Sequence, residues 1–140
     1  MVRGSCLCGG IGFEAMSIPL LTHCHCSMCR KAHGSAFGSF ASVRTKDFRF
    51  VRGEELVQYY ESSKGNRRAF CRVCGSNAPV RAPDGETFIV PAGLLDDDPG
   101  VRPALHMFVG SKAPWHEIDD RLPRFDAFVP GFGPGDSERS

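Results

Sequence analysis

Seven cysteines, grouped as Cys6-x-Cys8, Cys24-x-Cys26-x2-Cys29 and Cys71-x2-Cys74, constrain this 140-residue chain more than any other feature. Clustered thiols in a small protein serve either as disulfides or as ligands of a metal. Here the count is odd and the spacing within each cluster is tight. The opening "MVRGSCLCGG" also lacks the apolar stretch of a secretory signal. Together these favour reduced thiols on a metal, and a cytoplasmic location is the expectation that goes with them.

The spacing then asks which cysteines share an ion. In extended backbone residues i and i+2 face the same side, so Cys6 and Cys8 are placed to chelate together, as are Cys24 and Cys26. A turn into a short helix would bring Cys29 back to the second pair. "CRVCG" (71–75) has the pattern of a zinc knuckle, with Gly75 allowing the tight backbone around the ion. Joining the outer pairs gives Cys6, Cys8, Cys71 and Cys74 as a closed four-sulfur site of the structural kind. It leaves Cys24, Cys26 and Cys29 with a fourth corner open, the pattern of catalytic zinc. A rival partition joins Cys26, Cys29, Cys71 and Cys74 as a zinc ribbon. Its arms are separated by 41 residues, against about 15 to 20 in a compact ribbon, so the first partition is preferred while spacing leaves both open. His23 and His25 would point away from Cys24 and Cys26 if this segment is extended, and read as packed or surface residues. His33, four residues after Cys29, is the histidine best placed to join it.

Between the clusters the chain reads as short strands broken by glycine and proline. "IGFEA" (11–15), "LLTHC" (20–24), "AFGSFASV" (36–43), "DFRFV" (47–51), "LVQYYES" (56–62), "RRAFC" (67–71), "TFIVPAG" (87–93) and "LHMFVG" (105–110) have strand character. One helical turn is expected over "SMCRKAH" (27–33), opened by Ser27 and closed by Gly34. The expected fold class is therefore all-β, as one domain over residues 1–129 with a flexible tail over 130–140. Trp115, the only tryptophan, is expected as a core anchor, and Phe37 and Phe40 as core residues before pocket lining. A formal net charge of +1 argues against nucleic acid or an anionic membrane as partner, and no apolar run is long enough to span a bilayer.

Four segments resemble the family of the glutathione-dependent formaldehyde-activating enzyme, which also includes the centromere protein V type. "GSCLCGGIGFE" is similar to the family's opening and "CHCSMCRKAHGSAF" to its central motif. "RRAFCRVCGS" is similar to the second half of its structural site, and "SKAPWHEIDDRLPRFD" to its closing segment. The resemblance implies an Mss4-like fold of several short, coiled antiparallel sheets with cysteine–zinc staples. It implies two zinc ions, one structural on Cys6, Cys8, Cys71 and Cys74 and one functional on Cys24, Cys26 and Cys29. The activity it implies is condensation of glutathione with formaldehyde to S-(hydroxymethyl)glutathione, a carbon–sulfur lyase reaction.

Chemistry supports such a reading of the open site. Three thiolates on Zn2+ leave a formal charge of −1, and a soft substrate thiolate matches the fourth corner. Arg30 and Lys31, directly after Cys29, are the candidate contacts for carboxylates of a glutathione-like thiol. Arg67, Arg68 and Arg72 beside the last cluster read more simply as solvated charge. Two other functions compete, a zinc-stapled binding module without turnover and a redox switch of Cys24, Cys26 and Cys29.

Overall fold

The structure, a computed structural model, describes residues 1–128; the tail expected over 130–140 lies outside the described residues. Eleven strands and one helix follow in chain order among the described residues: β1 (Val2–Ser5), β2 (Gly12–Ala15), β3 (Leu20–Cys24), α1 (Ser27–His33), β4 (Gly38–Arg44), β5 (Phe48–Arg52), β6 (Val57–Ser63), β7 (Asn66–Cys71), β8 (Asn77–Ala78), β9 (Val80–Arg81), β10 (Thr87–Pro91) and β11 (His106–Met107). The fold is mostly β, in small sheets with one helix, as the sequence led us to expect. The chain gathers into two compact units. One comprises Met1–Leu21 with Phe40–Arg102, the other Thr22–Ser39 with the segment from Pro103 onward.

In the first unit β2 lies between β1 and β5, antiparallel to both. β7 likewise lies between β6 and β8, and β10 between β4 and β9. Strand alternation sends Phe13 and Ala15 of β2 inward, and their outward neighbour Glu14 accepts from Arg49 across the β2–β5 pair at 2.6 and 2.8 Å. The core is built on phenylalanine. Phe48 stacks on Phe88 with ring centroids 4.0 Å apart and on Phe13 at 5.6 Å, while Phe50 meets Phe48 edge-on at 5.1 Å. A second cluster packs Ile11, Val57, Ala69 and Ala78 around the buried cysteines Cys6 and Cys71.

Gly53 joins β5 to a 3-10 turn with φ +73°, and a Cβ there would run into the carbonyl of Gly10. Both the left-handed backbone and the close approach require glycine. Gly53→Ala is expected to destabilise the protein by at least about 2 kcal/mol, read as a lower midpoint in thermal or urea unfolding.

In the second unit β11 runs parallel to β3, pairing His106 with His23 and Met107 with Cys24. Helix α1 is short, and its ends explain its persistence. Cys26 rather than Ser27 is its N-cap: the Cys26 backbone is extended and its Sγ accepts from the Cys29 N–H at 3.3 Å. Gly34 closes the helix in the left-handed conformation at φ 59° and donates to the Arg30 carbonyl. Arg30 and Lys31 set positive charge towards the end of the helix, where the helix dipole favours it.

Other expectations are also corrected. Cys6-x-Cys8 sits in a turn, not in extended backbone, because Gly9 adopts φ 79° and its N–H returns to the Cys6 carbonyl. "LHMFVG" forms a strand of two residues only, since Phe108 turns into the left-handed region at φ 57° and ends it. Trp115 is 71% exposed and anchors no core; it occupies the crest of a turn in which the His116 N–H bonds the Ala113 carbonyl and Ala113 is the buried member. Phe37 is half-buried, and its packing is against histidine rings. No helix among the described residues is long and apolar enough to cross a membrane.

Candidate metal centres

The seven sulfurs gather into two groups. Cys6, Cys8, Cys71 and Cys74 form one, Cys24, Cys26 and Cys29 the other, and within each group all Sγ atoms lie within 4.8 Å of one another. The ribbon partition of Cys26, Cys29, Cys71 and Cys74 is not the one formed. Each group could hold a metal ion.

Two knuckles of the first unit build the four-sulfur group. In the first, the Gly9 N–H bonds the Cys6 carbonyl; in the second, the Gly75 N–H bonds the Cys71 carbonyl, with Gly75 at φ 77°. Such loops point several N–H groups inward. Ile11 N–H donates to Cys6 Sγ at 3.3 Å and Gly10 N–H to Cys8 Sγ at 3.4 Å. Cys6 and Cys8 sulfurs are 3.6 Å apart, and those of Cys8 and Cys71 4.0 Å. Corners of a tetrahedron with zinc–sulfur bonds of about 2.3 Å lie about 3.8 Å apart, so the spacing suits one Zn2+.

Ser76 ties the two knuckles together. Its hydroxyl accepts from the Leu7 N–H at 2.8 Å and lies 3.4 Å from Cys74 Sγ. Hydrogen bonds from the Ser76 side chain and backbone pull the Cys74 thiol down to about 5, favouring the thiolate that a metal needs. Ser76→Ala is expected to weaken zinc retention by about tenfold in a chelator competition.

The three-sulfur group belongs to the second unit. Cys24 ends β3, Cys26 caps α1 and Cys29 lies on its first turn, so strand, cap and helix each contribute one ligand. All three are buried, each about 6% exposed. Hydrogen bonding with Cys26 and Cys29, then burial, pushes the Cys24 thiol upward. Three thiols so close cannot all ionise unless a cation offsets their charge. A soft divalent ion fits this donor set. No histidine among the described residues joins either group.

Histidines instead line the neighbourhood. His25, fully buried between two of the cysteines in sequence, has its Nε2 2.8 Å from Nδ1 of His106. His106 Nε2 is 2.9 Å from Asp120 Oδ2, and His23 Nδ1 is 2.8 Å from the Ser39 hydroxyl. Burial pushes His25 down to about 4, with the nearby His106 and His116 acting in the same direction. Asp120 is lowered, chiefly by its hydrogen bond to His106 and next by the Leu122 N–H. In the sequence His106 lies far from the cysteine motif, nothing singles out Asp120, and His25 reads as a packed or surface residue. No local signal joins His25 to His106, which lies 81 positions away.

Arg30 and Lys31 are both on α1. Arg30 is half-buried and its Nε donates to the Ser111 carbonyl at 3.2 Å, whereas Lys31 is exposed. Arg67 lies over the Tyr59 ring, 4.1 Å from its centroid.

A family model described as "Glutathione-dependent formaldehyde-activating enzyme" matches residues 1–111. A Halomonas elongata protein provisionally assigned to that activity is 29% identical over 131 aligned positions, covering 86% of this chain and 83% of its own length. An uncharacterised lyase of Schizosaccharomyces pombe is 36% identical over 75 positions, 53% of either chain. Among solved structures, a Rhodobacter sphaeroides protein superposes with a TM-score of 0.57 at 28% identity, covering 72% of this chain and 91% of that one. The match to the family model spans both cysteine groups, and the chain belongs to the glutathione-dependent formaldehyde-activating enzyme family.

Proposed function

We propose that this protein condenses a low-molecular-weight thiol, such as glutathione, with a small aldehyde, such as formaldehyde, and that Cys24, Cys26 and Cys29 are the centre of that activity. The observation that carries the reading is a buried group of three sulfurs to which no fourth cysteine or histidine among the described residues contributes. Family membership supports a thiol and a small aldehyde as the substrate class.

The reaction balances without an oxidant. The thiol sulfur forms a bond to the carbonyl carbon, the π pair moves to oxygen, and the thiol's proton ends on that oxygen as a hydroxymethyl thioether. Cys24, Cys26 and Cys29 would hold one zinc ion, and Cys6, Cys8, Cys71 and Cys74 another. Bound at the three cysteines, zinc supplies a positive charge that favours the thiolate form of a substrate sulfur. The chain's own residues fix geometry and exclude water. Strand β3 and helix α1 hold the three sulfurs at one place, and their burial keeps bulk water away from them. Arg30 and Lys31, on the same helix, would receive the carboxylates of the thiol substrate.

A second reading, a binding module stapled by zinc, draws on the four-sulfur centre. Leu7 and Val73, inside its two knuckles, are 84% and 65% exposed, the disposition of side chains offered to a partner. Exchange spectroscopy with 13C-formaldehyde and glutathione separates the two. The enzyme reading expects the protein to accelerate interchange of free aldehyde and hydroxymethyl adduct. A rate equal to that in buffer would leave the binding module.

A further inference from the structure

A hydrogen-bond chain runs from the surface to the segment that carries Cys24 and Cys26. It begins at Asp120, 42% exposed at its side chain, passes through His106, 2% exposed, and ends at His25, fully buried. The order of protons along it follows from its outer end. The Asp120 carboxylate accepts, at 2.9 and 3.1 Å, so Nε2 of His106 carries a hydrogen. With its hydrogen on Nε2, His106 accepts through Nδ1, and the hydrogen between the rings belongs to Nε2 of His25. That leaves Nδ1 of His25, which is buried and has no hydrogen-bond partner among the described residues. The His25 ring is thus oriented by a single hydrogen bond, the one that His106 accepts.

His25 stands directly between Cys24 and Cys26 in the chain. Its backbone N–H donates to the Met107 carbonyl at 2.9 Å, and its ring packs against Phe37 with centroids 5.0 Å apart. His106 is itself clamped, its N–H on the Pro123 carbonyl and its carbonyl on the Phe125 N–H. A shift of the His25 backbone is passed directly to Cys24 and Cys26, the candidate ligands on either side of it.

We propose that Asp120 and His106 are positioning residues for the three-cysteine centre, acting through His25 to fix the backbone that carries Cys24 and Cys26. The proposal rests on the reading of Cys24, Cys26 and Cys29 as the functional metal centre. Asp120 acts as a hydrogen-bond acceptor, so an amide oxygen at the same place serves nearly as well and a methyl group does not.

The test compares Asp120→Ala, Asp120→Asn and, as a neighbouring control, Asp119→Ala in the full zinc-loaded chain. In a chelator competition, Asp120→Ala raises the zinc dissociation constant of the three-sulfur centre by about 10- to 100-fold, while Asp120→Asn stays within about threefold of wild type. Zinc at the four-sulfur centre is unchanged in all three. Amide exchange in residues 23–27 accelerates in Asp120→Ala and returns towards wild type in Asp120→Asn. Imidazole 15N shifts report His106 protonated at Nε2 in wild type and Asp120→Asn. Equal behaviour of Asp120→Ala and Asp119→Ala in affinity and exchange overturns the proposal, as does an asparagine that behaves like alanine. A wild-type protein binding a single zinc would sink the functional reading instead, and the exchange contrast would still decide the positioning role.

Discussion

Cys71→Ser is expected to unfold the unit that carries the four-sulfur centre. Cys71 is fully buried, packs with Ile11, Val57, Ala69 and Ala78, and ends strand β7. Serine is close in size, so the loss is of a ligand more than of volume. Structural zinc in small domains contributes about 10–16 kcal/mol, while a whole domain of this size is stable by only about 5–15 kcal/mol. Removing one of four thiolates therefore leaves too little to hold the two knuckles together. The expectation is loss of the cooperative thermal transition at 25 °C, with the far-UV spectrum of an unfolded chain. Excess chelator at neutral pH produces the same collapse in wild type. A Cys71→Ser protein that melts within a few degrees of wild type would show that the phenylalanine core suffices without the metal.

Cys26→Ser is expected to do the reverse, abolishing function while sparing the fold. Cys26 has two roles, as a member of the three-sulfur group and as the N-cap of α1. Serine discards the first and keeps the second, because a hydroxyl accepts the Cys29 N–H at least as well as a sulfur does. Helix α1 therefore persists, and the melting temperature falls little. Formation of the thiol–aldehyde adduct should drop by at least about 100-fold, roughly 2.7 kcal/mol of lost transition-state stabilisation. Cys26→Ala separates the roles: it loses the cap too, at about 1 kcal/mol of stability, while its activity falls no further than that of Cys26→Ser. Full activity in Cys26→Ser would remove this centre from the reaction.

Both expectations come from features that differ in how openly the sequence displays them. Strand β3 was legible to its ends, because "LLTHC" is a compact run of strand-favouring residues bounded by Pro19 and the cysteine motif. The two cysteine groups were legible as a preferred partition, because chelation imposes its own short spacing. The turn at Cys6-x-Cys8 reads as extended backbone in the sequence, because only the left-handed conformation of Gly9 distinguishes the two. Strands β8 and β9, two residues each, carry no period to detect and exist through pairing with β7 and β10. Trp115 was misplaced because a lone aromatic states its size and not its surroundings. The link from Asp120 through His106 to His25 was hidden for a different reason: it is made by contacts between segments 81 positions apart, which no local pattern records.

Zinc stoichiometry by native mass spectrometry, on wild type and Cys26→Ser with and without glutathione, tests the central claim that two cysteine centres have separate roles. Two zinc ions are expected in wild type, one in a folded Cys26→Ser, and a glutathione adduct only when both are present. A single zinc in wild type, untouched by Cys26→Ser, would contradict it.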